Sequence, residues 1–342
     1  MDKSLDFSGL KTYLLKTLSL DSNAMEITQI SGGFSNLTFL IQTPEGKFAM
    51  RRAPFGNKIS KAHDMVRECH VLEALQKAGY QKAPKPLALY RGENFDQAPL
   101  LVMEFVEGVI LRNKPNPDFT LNEIEFRRLS ENTIDSLVEL HLLELKESGL
   151  SDLGKPEGYV ERQVLGWSER YFKAKTNELP EMEKVAEWLK LNIPQTKNIG
   201  FLHNDYKYDN LMLDFEQKTE IKAVLDWEMA TVGDPLMDLG TSLAYWAQAD
   251  DPNILKMFNM THLSGNMTRA EVIAYYGSRT SFDLTNILFY YVFGLFKVGV
   301  IAQQIYKRYT QGFANDPRFA GLIHVVKAAG KMAEKSILTE KI

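Results

Sequence analysis

Apolar residues recur along this chain in two rhythms, a short alternating one near the start and a helical one through the rest. Phe7, Leu10, Leu14 and Leu18 are spaced as on one face of a helix, so an N-terminal helix is expected over Asp6 to Leu18. Glu26 to Ile30, the loop Ser31-Gly32-Gly33-Phe34-Ser35-Asn36, and Leu37 to Ile41 read as strand, loop, strand. Pro44-Glu45-Gly46 marks a turn into a third strand, Lys47 to Arg51. Between Ser60 and Lys77, the residues Ala62, Met65, Val66, Cys69, Leu72 and Leu75 follow core spacing, and Gly79 stands beyond as a C-cap. Ala83-Pro84-Lys85-Pro86 breaks that helix, and Leu87 to Tyr90 and Leu100 to Phe105 give two more apolar strands. Helices then dominate. Leu121 to Leu145 carries Ile124, Leu129, Ile134, Leu137, Leu140 and Leu145 as its core face, and later helices bring Trp167 and Trp188 inward, the second ending before Pro194. Arg269 to Arg279, Asn286 to Arg308 and Pro317 to Ser336 follow. Strands first and helices afterwards predict an α+β fold.

Composition narrows the class. With 342 residues, 44% of them hydrophobic, the chain can build two lobes, and disorder is excluded. The 40 basic and 44 acidic residues leave a net charge of -4, which gives no reason to expect nucleic-acid binding. From Thr285 onward eight Lys or Arg face three Asp or Glu, about +5 against about -9 elsewhere, which reads as a solvated helical surface. The single Cys69 cannot form an intrachain disulfide and falls on an apolar stripe, in keeping with a reducing cytoplasm. Tyr13-Leu14-Leu15 is interrupted by Lys16, so no signal peptide is expected, and Ile287 to Ala302 is short for a bilayer span and carries Lys297. A buried helix, with no membrane insertion, is the expectation there.

The candidate chemistry lies in His203-Asn204-Asp205-Tyr206-Lys207-Tyr208-Asp209-Asn210, a polar stretch pinned between Phe201-Leu202 and Leu211-Met212-Leu213. Polar groups held between buried segments need partners. The spacing H-x-D-x-x-x-x-N is that of a protein-kinase-type catalytic loop, which sets a carboxylate at an attacking hydroxyl and a metal-binding amide nearby. Sixteen residues after Asn210, the run Ile221 to Leu225 delivers Asp226, followed by Trp227 and Glu228. Mg²⁺ takes oxygen ligands and keeps several waters, so Asn210, Asp226 and nucleotide phosphates suffice, with no His or Cys cluster.

Together these segments resemble the aminoglycoside phosphotransferase and choline kinase superfamily, relatives of the eukaryotic protein kinases. VLDWEMATVGDPLMDLG, ending at Gly240, is similar to the branch that includes the kinase-like domain fused to acyl-CoA dehydrogenases in animals. GKPEGYVERQVLGW (154 to 167) and FGLFKVGVIAQQIYKR (293 to 308) point to the same branch.

The resemblance implies a bilobal kinase-like fold: an N-lobe over 1–103, a hinge over 104–108 and a C-lobe over 109–342. It implies ATP and Mg²⁺, with Asp205 as base and Asn210 and Asp226 as metal ligands. For the nucleotide it implies the glycine loop with Gly33, Ser35 and Asn36, a strand cation at Arg51 where the family pattern has Lys, Glu68 paired with that cation, and main-chain groups of Glu104 and Val106 reading adenine. Read from the residues alone, the two glycines also fit a plain hairpin turn, and Glu68 also fits a surface pair with Arg67 or His70. His203 is expected to be structural, Asn204 to adopt positive φ and Asp238 to tie down the loop backbone, while Lys207 faces either a transferring phosphoryl group or solvent. The late helices, with Tyr290, Tyr291, Phe293 and Phe296 beside Lys297, Lys307 and Arg308, suggest a neutral or anionic acceptor such as a hydroxyacyl-CoA. The expected activity is therefore transfer of the γ-phosphate to a small-molecule hydroxyl. An aminoglycoside kinase and a nucleotide-binding module without turnover are the alternatives. A protein-substrate kinase fits least, because no A-P-E segment follows Asp226.

Overall fold

A computed structural model describes residues 7–20, 24–30, 36–53, 64–91, 98–112, 116–314 and 316–342. Helix α1 (Ser8–Thr17) leads into strands β1 (Glu26–Ile30), β2 (Leu37–Thr43) and β3 (Gly46–Arg52), then helix α2 (Met65–Lys77) and strands β4 (Pro86–Tyr90) and β5 (Leu100–Glu104). The five strands form one antiparallel sheet in the order β1-β2-β3-β5-β4. Alternation along a strand divides its side chains between two faces. Met50 and Val102, paired across β3 and β5, join Leu10 and Leu14 of α1 in one small core, while Arg51 and its neighbour Leu101 face the other way, toward α2. Asp64 caps α2 by accepting from the Val66 and Arg67 amides. Such a cap stabilises a helix by about 1 kcal/mol and fixes which residue opens it.

Past β5 the chain runs through β6 (Val109–Ile110) into a larger, mainly helical half. Helices α3 (Glu123–His141), α4 (Tyr159–Ala174) and α5 (Pro180–Leu191) precede four short strands, β7 (Gly200–Leu202), β8 (Leu211–Leu213), β9 (Ile221–Val224) and β10 (Thr231–Gly233). These pair antiparallel as β6-β8-β9 and β10-β7. Helices α6 (Pro235–Tyr245), α7 (Asn253–Lys256), α8 (Arg269–Arg279), α9 (Ile287–Thr310) and α10 (Leu322–Thr339) complete the chain. Capping boxes start α3, between Asn122 and Glu125, and α8, between Thr268 and Glu271.

By length and composition α9 could cross a membrane, yet 78% of its apolar window is buried here as the axle of the helical half. It crosses α6 at two glycines, and a Cβ on Gly294 would collide with the Gly240 carbonyl oxygen. Farther along, Met182 of α5 fills a hole between α9 and α10. Added Cβ atoms on Gly299 and Gly330 would lie 2.9 Å from its Cε and 3.0 Å from its Cγ.

Two expectations fail. Ile124 is 82% exposed rather than on the core face of α3. Tyr290, Tyr291, Phe293, Phe296 and Lys297 are all buried, so they do not line an open acceptor pocket. Trp167 is buried and Trp188 packs against the core as expected, and Cys69 is a buried, free thiol.

Candidate active site

Strands β7 and β8 carry the ends of the polar loop, and β9 pairs with β8, so the residue after β9 emerges beside it. The Leu225 amide donates to the Asn210 carbonyl at 2.8 Å and extends that ladder to Asp226. The Asn210 side-chain amide donates to the Asp205 carbonyl at 2.8 Å and to its carboxylate Oδ2 at 3.0 Å. Lys207 Nζ donates to the same oxygen at 2.6 Å and stands 4.6 Å from the centre of the Tyr245 ring. Lys207 is thus turned inward, against Asp205, and keeps its charge: burial disfavours the ammonium, but Asp205 outweighs it and raises the pKa.

The loop backbone is clamped from below. Asp238, in the first turn of α6, accepts from the His203 amide at 2.6 Å and the Asn204 amide at 2.9 Å. His141 stands behind it, 3.3 Å from Oδ2, with its other ring nitrogen 2.8 Å from the Tyr276 hydroxyl. Burial works against the Asp238 carboxylate, but His141 and the donated amides hold its pKa below the usual value. His203 accepts the Asp205 amide at Nδ1, 3.2 Å, which assigns the ring proton to Nε2, 2.9 Å from the Leu225 carbonyl. Burial lowers the His203 pKa, in keeping with a neutral ring that holds backbone. Asn204 and Asp226 have φ of 66° and 69°, the left-handed region that non-glycine residues seldom occupy. Both are held there by their neighbours, at a cost on the order of 1–3 kcal/mol each.

The N-terminal half closes the site from above. Arg51 reaches from β3 to Glu68 of α2 and also donates to Asp226 Oδ1 at 2.7 Å. Burial pushes Glu68 up to about 7, against the pull of Arg51. Burial acts in the same sense on Asp226, but there Arg51, by charge and hydrogen bond, brings the carboxyl below its usual value. Beside it, burial and the Asp226 charge push Glu228 up to about 8. Asn36 Nδ2 donates to Glu228 Oε2 at 2.7 Å, a second link between the halves. Next to α2's glutamate, Arg67 anchors the helix by donating to the Leu153 and Ala230 carbonyls at 3.0 and 2.6 Å.

The structure therefore joins Arg51 to Glu68 and Asp226, Asn36 to Glu228, and Asn210 to Asp205, with the Leu225–Asn210 backbone bond setting Asp226 beside the loop. Gly33 and Ser35 lie outside the described residues. Glu104 and Val106 line a separate cavity of about 410 Å³ with Lys47, Phe105, Glu107 and Lys222, at the connection between the halves. Lys47 and Glu107 pair across it. Three residues gain a place that spacing alone did not assign: Lys207 on Asp205, Glu228 on Asn36, and Lys297, whose Nζ donates to the Asn204 carbonyl at 2.6 Å. The signal for Lys297 was its being the one charge in the apolar run from Ile287 to Ala302.

A model of the "phosphotransferase enzyme family" matches residues 26–272. Acyl-CoA dehydrogenase family member 10 of Mus musculus is 33% identical over 313 residues, covering 90% of this chain and only 29% of the mouse protein. A crystal structure from Ralstonia eutropha, provisionally assigned as an aminoglycoside phosphotransferase, superposes with a TM-score of 0.82 at 26% identity, covering 98% of each chain. A thermostable mutant of an aminoglycoside phosphotransferase, in ternary complex with AMP-PNP and hygromycin B, shares the fold with a TM-score of 0.63 at 13% identity, over 96% of this chain and 98% of that one.

Proposed function

The chain belongs to the phosphotransferase enzyme family and has its kinase-like, bilobal α+β fold, and on that footing we propose that it transfers the γ-phosphate of ATP to a hydroxyl of a small molecule. The observation that carries this reading is the convergence of Asp205, Asn210 and Asp226 below Arg51. The bound nucleotide analogue of the solved relative supports nucleotide use. In the proposed reaction the acceptor oxygen bonds to the γ-phosphorus, the bond from that phosphorus to the bridging oxygen breaks, and ADP leaves. Asp205 orients the hydroxyl and takes its proton late, because the transition state is loose. Lys207, already on Asp205, faces the charge of the moving phosphoryl group. Arg51 grips phosphate in place of the usual lysine, with Glu68 fixing its direction.

A divalent cation fits these residues. Asn210, Asp226 and Glu228 offer oxygen donors, as Mg²⁺ prefers, and the Glu228 carboxyl, held to about 8 by burial and then by the Asp226 charge, lies where a cation would favour its ionised form. No group of three or more His, Cys, Asp or Glu among the described residues is placed to hold a metal by itself, so Asn210 and Asp226 would share the ion with phosphate and water. Bound there, it would neutralise phosphate charge.

For the acceptor we propose a neutral or anionic alcohol such as a hydroxyacyl-CoA. The likeness to an acyl-CoA dehydrogenase family member supports this, together with the cationic Lys207 beside Asp205. The burial of the aromatic residues of α9 withdraws the other argument for it. Mg²⁺-dependent ATP consumption across a library of alcohols, run against Asp205→Ala, tests the reading. Turnover of an anionic or neutral alcohol that Asp205→Ala abolishes supports it. Turnover of kanamycin-like amines alone points to an aminoglycoside kinase, and a thermal shift with ATP but no product in any mixture points to a nucleotide-binding module.

A further inference from the structure

Lys297 stands in the middle of α9 and is 2% exposed. An ammonium group buried in apolar surroundings is costly unless it is bound. Two neighbours answer it. Its Nζ donates to the Asn204 carbonyl at 2.6 Å, and it lies 5.6 Å from the centre of the Trp167 ring on α4, a distance at which the ring's π face attracts a cation.

The Asn204 carbonyl belongs to the peptide whose N–H is that of Asp205. That N–H donates to His203 Nδ1 at 3.2 Å, so the peptide plane is held at both edges, by an imidazole on one and a cation on the other. The remaining polar atoms of Asn204 are also engaged: its amide with Asp238, Oδ1 with the Tyr159 hydroxyl at 3.2 Å, and Nδ2 with the Met229 carbonyl at 3.1 Å. A residue in the left-handed region keeps its conformation only where its surroundings over-determine it. Of these fasteners, Lys297 alone arrives from the late helices.

We propose that Lys297 is a positioning residue: through the Asn204 carbonyl it sets the rotation of the peptide that carries Asp205, and so the aim of that carboxylate at the acceptor hydroxyl. This rests on the kinase reading of Asp205. Burial draws the Lys297 pKa down to about 8, while Asp205 of the loop and Asp238 of α6 favour its charge and Lys207 and Arg170 oppose it. As pH rises past that value the ammonium loses a proton and the bond to the carbonyl loses its charge assistance.

Lys297→Met and Lys297→Arg test this, each checked for folding by its melting temperature. The Met variant should lose on the order of 10-fold to 100-fold in kcat, as a small misplacement of a reacting group does, with KM for ATP unchanged and faster hydrogen exchange at the Asp205 amide. The Arg variant should recover most of kcat and lose the alkaline limb near pH 8, because guanidinium stays charged. Glu228 titrates in the same range, so the comparison of the wild-type and Arg profiles is what counts. Wild-type kcat in the Met variant, or an unchanged alkaline limb in the Arg variant, overturns the proposal. If one variant does not fold, the other decides. If the wild-type protein phosphorylates no alcohol, the kinase reading fails by itself, and exchange at the Asp205 amide still decides whether Lys297 holds that peptide.

Discussion

Arg51 meets two carboxylates, one from each half of the molecule, and a lysine ammonium could not present the same planar fork to both. Arg51→Lys should keep the fold but lose one charge-assisted bond, about 1.5–3 kcal/mol, seen as a lower melting temperature and weaker ATP binding. Asp205→Asn should lower kcat by about 10²–10⁴ while leaving the dissociation constant for ATP near its wild-type value, since its role is in the reaction and not in holding nucleotide. Glu228 supplies a pH test. Its folded-state pKa of about 8 lies above the ordinary glutamate value of 4.5, so the folded chain holds a proton that the unfolded chain lacks between those values. Its contribution to stability is therefore complete at acid pH and is lost as pH rises toward 8. Magnesium–nucleotide binding at pH 7 should expel that proton, so the calorimetric enthalpy should differ between buffers of different ionisation heat; identical enthalpies would count against a cation beside Glu228. Spacing reveals Asp205, Asn210 and Asp226 because the chain between them is short and its two strands, β8 and β9, pair with each other. It is silent on the Asn36–Glu228 bond, whose partners are 192 positions apart.

At the scale of elements, the sequence locates α8 and α9 closely, since α8 opens on a capping box and α9 is apolar on every face from Phe289 to Val300 except at Lys297. The helical rhythm misleads at Ile124. Two residues before Phe126 in a helix of about 100° per residue, it lies roughly 200° around from the core stripe, and an apolar residue there simply meets solvent. Lys297 stands out as the one charge in an apolar run, but its partner, the Asn204 carbonyl 93 positions away, is not legible from that run. The crossing of α6 and α9 depends on backbone approaching backbone at Gly240 and Gly294. Gly294→Ala forces the helices apart and should cost about 1–3 kcal/mol, as overpacking does, with a fall in melting temperature as the measurement.

Across the whole molecule, the two halves meet through Arg51–Asp226, Asn36–Glu228 and the clasp of Arg67 on two carbonyls of the helical half. A ligand that binds only the folded cleft should stabilise both halves together, by about 2.7 kcal/mol at a hundredfold excess over its dissociation constant. One cooperative thermal transition, moved upward by magnesium and ATP and not by magnesium in the Asp226→Asn variant, is the expected result. The seat of Met182 between two glycines carries a separate consequence for handling the protein. Met182 is fully buried, so an oxygen atom added to its sulfur would put a polar group inside the packed seam between α9 and α10. Chains damaged by peroxide while unfolded should thus refold with a swollen seam close to Lys297, and a preparation could lose potency on ageing although every residue of the cleft is chemically intact.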